Sequence, residues 1–231
     1  MKNKTTWFDW SFMGLGLLVQ VVTYCITSVD LSSLRSPALL PEALSPLSLV
    51  SGCLGVCAVC LTAQGNILTY AFGFAQVITY TWLCLRAHLY GAVAINVYYF
   101  LTMIYGVYVW RRRLRPEDGR VRTRTLPRKL WLSIVAAVLL LSVGVGMLLQ
   151  HYTSDPSPYL DSFTTVVSIV AQILMILAFR DQWFLWLAVD VLSVAIWLHV
   201  GDYCLMAQYV FWCLNCLYGY FRWRSLGISN E

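Results

Sequence analysis

The amino-acid sequence contains eight apolar segments, each long enough to form a helix across a lipid bilayer. The hydrocarbon core of a bilayer requires about 20 predominantly apolar residues per helix. Segments of this kind lie at residues 7–28, 46–63, 67–85, 90–110, 130–150, 162–179, 183–199 and 204–222. They occupy most of the chain and therefore predict an all-α integral membrane protein. The first one contains Asp9 and precedes a Ser/Pro-rich stretch, so residues 1–45 are interpreted as an accessory helix and linker, spanning the membrane or lying on it.

Composition excludes a water-soluble globule. Hydrophobic residues make up 59% of the 231 residues and charged residues only 12%, about half the charged fraction of a soluble domain. Tryptophans mark the ends of several apolar segments, as expected at the headgroup level: Trp7, Trp10, Trp110, Trp131 and Trp223. The formal net charge of +5 is concentrated in one loop beside the predicted spans, which argues against nucleic-acid binding.

That basic loop predicts the orientation. Residues 111–129 hold nine of the sixteen Lys and Arg residues, and short basic loops stay in the cytoplasm. Eight alternating spans then place fourteen of the sixteen on the cytoplasmic side, together with both chain termini. The loop is interpreted as a topology signal only.

The chain also resembles itself. Ile104–Arg111 matches Leu217–Arg224, and the sequence separation between these two segments is called the repeat offset below. A one-residue slip from that offset pairs Gln76 with Asp190. Self-similarity of this kind predicts two structural repeats, residues 46–110 and 162–224.

The basic loop and a linking helix occupy residues 111–150. Because the linking helix adds one membrane crossing between the two three-helix repeats, the repeats would be parallel. A 3+1+3 bundle of parallel repeats is a transporter architecture with its site between the repeats.

Polar residues inside the spans mark the candidate site. Asp190 is the only carboxylate deep within a span, where an ionised side chain costs at least ~2.5–3.5 kcal/mol on insertion scales. Gln76 is its mate in the first repeat. The pair predicts either a central binding site or a hydrogen bond that joins the repeats.

Aromatic and amide side chains surround this pair. Trp186 and Phe72 each lie one turn before the polar residue and so share its face, which suits either a flat cationic ring or ordinary helix packing. Further candidates need hydrogen-bond partners, from a ligand or from helix backbones: Asn96, Tyr98, Trp212, Asn215 and Gln172. Gln172 and Gln208 are weaker candidates, since either can equally join two helices.

No motif indicates catalysis, a cofactor or a metal. The spacings Cys57-x-x-Cys60 and Cys213-x-x-Cys216 lie within apolar segments without a second ligand pair, so these cysteines are interpreted as small packing residues. His-Glu-x-x-His and phosphate-cradling glycine motifs do not occur in the sequence. An enzyme is therefore not expected, and a non-transporting receptor is the other alternative.

Several motifs resemble the PnuC family of bacterial vitamin transporters over residues 46–224. The first half contributes Gly65–Gly73, Leu89–Gly91, Asn96–Phe100 and Tyr105–Trp110, and the second half Gln182–Ser193. The family's Trp-x-x-x-Asn site motif falls on Trp186 and Asp190, so a carboxylate stands where the family has an amide.

The resemblance implies a SWEET-like fold in the bacterial inner membrane and a homotrimer. It also implies uptake of nicotinamide riboside by facilitated diffusion, with a cytoplasmic kinase trapping the substrate by phosphorylation. Thiamine and, less suitably, riboflavin are the alternative substrates that relatives suggest. Nicotinamide riboside and thiamine both carry a cationic ring, which an ionised Asp190 would suit.

Overall fold

The structure, a computed structural model, describes residues 6–28, 45–153 and 157–227. Within these ranges it is all-helical, as predicted, and eight helices follow one another: α1 (Trp7–Ser28), α2 (Pro46–Ala63), α3 (Thr69–Arg86), α4 (Tyr90–Arg111), α5 (Arg128–Tyr152), α6 (Pro158–Ile176), α7 (Gln182–Val200) and α8 (Tyr203–Gly227). The predicted bounds agree closely except in α6 and α8. Residues 1–5 and 29–44 of the predicted 1–45 segment lie outside the described residues.

The two larger differences in helix bounds have local causes. Helix α6 begins at Pro158 rather than at residue 162, because proline is well suited to the first turn of a helix. Asp161 in that turn also complements the positive helix N-terminus. Helix α8 continues past its apolar segment because Trp223 and Leu226 are buried beyond it.

The turns on either side of α3 and α7 correspond to one another. Gly65 and Ala178 have positive φ, at 66° and 59°, and are separated by the repeat offset. His88 and Gly201, at 58° and 81°, follow the same two helices at the same spacing.

The repeat offset is thus uniform across the loop before α7, and the predicted one-residue slip is wrong. Asp190 corresponds to Val77, and Gln76 corresponds to Val189. Gln76 and Asp190 therefore do not occupy equivalent positions in the two repeats. Each lies one residue away from the position that is equivalent to the other.

Six helix pairs form the framework of the bundle. Consecutive helices pack together within α2–α3–α4 and within α6–α7–α8, and the two groups meet through α2 against α8 and α4 against α6. Helix α1 packs on α2 and α8, whereas α5 packs on α6.

Two glycines at corresponding positions of the repeats allow a close approach between consecutive helices. A Cβ atom at Gly106 of α4 would lie 2.5 Å from the hydroxyl oxygen of Tyr70, and one at Gly219 of α8 would lie 2.5 Å from the indole of Trp183. Both aromatic side chains are almost fully buried. The Tyr-Gly pairs that revealed the repeat are therefore packing sites for an aromatic ring of the preceding helix.

The loop between α4 and α5, residues 112–127, is called the strap below. Its Arg120 guanidinium donates to the carbonyl oxygen of Gln64 at 3.0 Å, and its Arg124 guanidinium donates to that of Leu177 at 3.0 Å. The backbone N–H of Arg124 also donates to Ala178 at 2.8 Å. Because Gln64 and Leu177 are the C-cap residues of α2 and α6, the strap ties both halves of the bundle together. Its interpretation as a topology signal only is incomplete.

Six of the described helices are long and apolar enough to cross a membrane: α1, α2, α4, α5, α6 and α7. Helices α3 and α8 fall outside this set. Both are rich in tyrosine, tryptophan and polar side chains, which lower the mean hydropathy. The described residues therefore form a multi-pass membrane protein.

Asp9 connects α1 to the bundle. Its carboxylate is only 1% exposed and forms an ion pair with Arg222 of α8, at 3.0 Å between Oδ2 and Nη2. The Tyr218 hydroxyl also donates to it. Further along the helix, Gln208 donates to Gln20 at 2.8 Å, so Gln208 joins α8 to α1. The charge near the start of α1 is thus neutralised, and the helix lies against the bundle.

Candidate functional site

A cavity of about 430 Å³ lies between the helices. Its walls come from α2, α3 and α4 on one side and from α6, α7 and α8 on the other. Pockets for small molecules typically enclose roughly 300–1,000 Å³ and are mostly apolar with a few convergent polar groups. This cavity matches that description and is the candidate functional site.

The structure brings five of the predicted site residues together at the cavity: Gln76, Gln172, Trp186, Asp190 and Trp212. They come from α3, α6, α7 and α8. These five residues, from both halves of the chain, line one cavity, and their role in binding stays a prediction.

Four predicted site residues are not among those that line the cavity: Phe72, Asn96, Tyr98 and Asn215. The Asn96 side-chain amide donates to the carbonyl oxygen of Ala92 at 2.8 Å. Of the two partners that the sequence allowed, a ligand or a helix backbone, the structure shows the helix backbone. Tyr98 donates to the carbonyl oxygen of Ile169 at 3.0 Å and joins α4 to α6.

Asn215 and Phe72 differ in burial. The Asn215 side chain is fully buried beside the cavity-lining Cys216, and neither amide atom has a hydrogen-bond partner among the described residues. Phe72 is half-buried on α3. The uniform repeat offset explains why Phe72 is not a counterpart of Trp186, because position 186 corresponds to Gly73.

Asp190 dominates the electrostatics of the cavity. Its side chain is 9% exposed, and it is the only charged residue among those that line the cavity. The hydrogen bond that it accepts comes from the Cys216 thiol, at 3.3 Å between Sγ and Oδ2. Cys216 therefore has a polar contact in addition to the packing role expected from the sequence.

Aromatic side chains form much of the remaining wall. Trp186 and Trp212 line the cavity from α7 and α8, and Tyr99 and Tyr209 line it from α4 and α8. Aromatic faces attract cations and stack on flat rings, with about 0.5–2 kcal/mol for a cation–π contact. The combination with one carboxylate suits a flat, positively charged ligand.

Sequence reasoning missed three polar residues that line the cavity where α3 and α7 begin. The Gln182 side chain is fully buried, and neither of its amide atoms has a partner in the described part of the chain. The Trp183 indole N–H and the Tyr70 hydroxyl are likewise buried without a partner there. A glutamine opening an apolar helix was the available signal, since buried polar groups normally find a hydrogen bond.

Nothing in the described residues points to a metal centre. Among them, no group of three or more His, Cys, Asp or Glu side chains could hold a metal ion.

A multi-pass helical bundle that encloses a polar-aromatic cavity is typical of a membrane transporter for a small solute, and comparison with known proteins gives the same class. The family model described as nicotinamide mononucleotide transporter matches residues 45–225. The chain belongs to this family, which is not a family of enzymes.

Characterised relatives share most of the chain. The nicotinamide riboside transporter PnuC of Neisseria mucosa is 32% identical over 193 residues, which cover 78% of this chain and 72% of the relative. PnuC of Haemophilus influenzae is 31% identical over 185 residues, 78% of this chain and 80% of the relative. The riboflavin/roseoflavin transporter RibM of Streptomyces davaonensis is 30% identical over 148 residues, 56% of this chain and 68% of the relative.

A solved structure has the same fold. The crystal structure of the vitamin B3 transporter PnuC superimposes with a TM-score of 0.74 at 29% identity, covering 96% of this chain and 92% of that one. Coverage of this extent includes residues that precede position 45.

Proposed function

We propose that this protein carries nicotinamide riboside across the bacterial inner membrane, down the concentration gradient of the riboside. The observation that carries the proposal is the single carboxylate of Asp190 in a cavity otherwise lined by aromatic, apolar and neutral polar side chains. Nicotinamide riboside is a flat aromatic cation attached to a polar sugar. The relatives that cover most of this chain are named for its transport.

Each part of the ligand has a matching part of the cavity. Asp190 is the counter-ion of the pyridinium ring, and Trp186 and Trp212 supply aromatic faces. Gln76 and Gln172 donate to and accept from the ribose hydroxyls or the carboxamide. Gln182 has the same role where α7 begins, because a ligand supplies the partners that its buried amide lacks.

Thiamine is the second candidate, because its thiazolium ring suits the same carboxylate. Riboflavin is neutral and gains nothing from Asp190, although a relative named for its transport matches about half of this chain. Charge at the ring therefore separates riboflavin from the other two vitamins, and the choice between nicotinamide riboside and thiamine rests on the relatives named for transport of the riboside.

The proposed architecture is a 3+1+3 bundle like that of the SWEET transporters. Helices α2–α4 and α6–α8 are its parallel repeats, α5 is the linking span, and α1 is accessory. The uniform repeat offset between turns with positive φ supports it. We propose that α3 and α8 also span the membrane, that both termini are cytoplasmic, and that the protein is a homotrimer. Phosphorylation by a cytoplasmic kinase traps the substrate.

Binding and transport require separate experiments. Calorimetry on purified protein with nicotinamide riboside, thiamine and riboflavin should show the tightest binding for the first, weaker binding for the second and least for the third. Absence of heat with all three would overturn the vitamin assignment. Counterflow of labelled riboside into sealed liposomes should show accumulation, whereas binding without accumulation would indicate a receptor.

A further inference from the structure

The carboxylate of Asp190 has no positive charge to balance it when the cavity is empty. The residues that line the cavity all lie in the described part of the chain, and they include no lysine, arginine or histidine. The side chain is only 9% exposed, and its protein contact is the neutral Cys216 thiol. A buried, unpaired carboxylate is unfavourable, so such a group normally takes up a proton.

Other groups near Asp190 do not offer a positive charge. The remaining titratable side chains of the cavity wall are Tyr70 on α3, Tyr99 on α4, and Tyr209 and Cys216 on α8. Cys213 on α8 does not line the cavity but interacts electrostatically with Asp190. The walls from α2 and α6 add only neutral residues. Tyrosine and cysteine side chains are ordinarily neutral at pH 7, so within this cavity Asp190 alone changes charge.

We propose that the protein exchanges each cationic substrate molecule for one proton at Asp190. This inference rests on the proposed function. On the side where the substrate enters, the cation displaces the proton from the carboxyl group, and the O–H bond electron pair stays on Asp190. The proton leaves to that aqueous side, and the cation pairs with the carboxylate. When the cation departs on the opposite side, Asp190 takes a proton from that side.

The exchange is electroneutral and needs no redox partner. One positive charge enters and one leaves per cycle, so the loaded and empty cavities carry the same net charge across the membrane. The substrate gradient, which trapping maintains, still drives uptake. The membrane potential therefore does not accelerate this exchange, whereas it would accelerate the uncoupled diffusion of a cation.

Proton release on binding tests the first step with the wild-type protein alone. Calorimetry of nicotinamide riboside binding in two buffers with different ionisation enthalpies should yield one proton released per molecule bound. The neutral dihydro form of the same riboside should release none. Affinity for the cation should fall about tenfold per pH unit in the acid range. Binding of the cation without proton release would overturn the proposal.

Liposomes containing the full chain and a pH-sensitive dye test the complete cycle. Addition of labelled riboside outside should make the lumen alkaline, with one proton exported per label imported, and a potassium-set membrane potential should not change the rate. The variant D190N, where it transports, should move the label without alkalinisation and respond to the potential.

Uptake by the wild-type protein without alkalinisation, accelerated by a negative interior, would overturn the exchange but leave the proposed function intact. Absence of both binding and uptake would overturn the proposed function itself, and the exchange with it.

Discussion

Trp223 of α8 donates a hydrogen bond from its indole Nε1 to the carbonyl oxygen of Thr62 in α2, at 2.8 Å. A second indole repeats this contact between the other two helices, where Trp110 of α4 donates to Met175 of α6 at 3.2 Å. The two donors are separated by the repeat offset, and so are the two acceptors. Both indoles are fully buried. Each contact joins the last helix of one half to the first helix of the other.

Trp223→Phe should lower the free energy of unfolding by about 1–3 kcal/mol, because it removes the indole hydrogen bond between α8 and α2 and shrinks a fully buried side chain. The Thr62 carbonyl oxygen keeps the backbone N–H of Gly65 as its other donor. Thermal unfolding of the purified protein in detergent measures the effect. Trp82→Phe is the matched control, since Trp82 is 56% exposed on the bundle surface. Equal melting temperatures for the two variants would show that the contact does not stabilise the bundle.

Gly219→Ala should destabilise the protein by about 1–3 kcal/mol, the usual cost of overfilling a packed interior. The added methyl group would lie 2.5 Å from the buried Trp183 ring. Gly144→Ala is the control, because a Cβ atom there meets no atom within 4 Å, and alanine favours a helix interior over glycine. Unfolding monitored by tryptophan fluorescence should therefore move in opposite directions, and a neutral Gly219→Ala would contradict the packing argument.

Asp9→Asn should weaken the attachment of α1, because it removes the negative partner of a largely buried ion pair between α1 and α8. Arg222 is the charge left behind. Faster proteolytic release of the N-terminal segment would report the detachment. Glu117→Gln is the control, since Glu117 is exposed on the strap. Unchanged protection of α1 in Asp9→Asn would show that apolar packing alone holds it.

Acid should weaken the strap through Asp118. Burial by itself would raise the pKa of this carboxyl group, but hydrogen bonds from the Arg115 side chain and the Arg120 backbone outweigh it and hold the pKa below its ordinary value of 3.8. The stabilisation is therefore complete above that ordinary value and is lost as the pH falls through the lowered pKa of the folded state.

The measurement compares wild type with Asp118→Asn across pH. The variant should melt at a lower temperature at pH 7, and the difference should shrink below about pH 4, where Asp118 in the unfolded chain is protonated. A difference that stays constant down to the acid end of the titration would rule out an electrostatic contribution.

Most of the fold was predictable, because each helix coincides with an apolar segment whose length fits a bilayer. That Asp190 lines a cavity was predictable for a related reason, since a charge inside such a segment requires a special environment. Trp186 was predictable with it, because it lies one turn earlier on the same face. Asn96 and Tyr98 were not, because the sequence cannot distinguish an amide or hydroxyl bonded to a helix backbone from one that faces a ligand.

The strap and the register of the repeats required coordinates. Arg120 and Arg124 bind backbone carbonyl oxygens, and a carbonyl leaves no trace in the sequence that would reveal its partner. Ala178 holds a positive φ where its counterpart is Gly65, so the sequence concealed the equivalence of the two turns. The one-residue slip that pairs Gln76 with Asp190 is inferred only from the polar character that the two side chains share.

Gln182 offers a test that separates ligand binding from structural support. Its amide is fully buried without a partner in the described residues, so Gln182→Leu removes an unsatisfied polar group and should leave the melting temperature unchanged or raised. Affinity for nicotinamide riboside should fall about tenfold, the equivalent of one hydrogen bond of roughly 1.4 kcal/mol.

Gln208→Leu should behave in the opposite way. It breaks the hydrogen bond to Gln20 and should lower the melting temperature while leaving affinity close to that of the wild type. Calorimetry compares the affinity of the two variants for nicotinamide riboside, and thermal unfolding compares their melting temperatures. Loss of stability without loss of affinity in Gln182→Leu would place that residue in the framework of the bundle and remove it from the binding site.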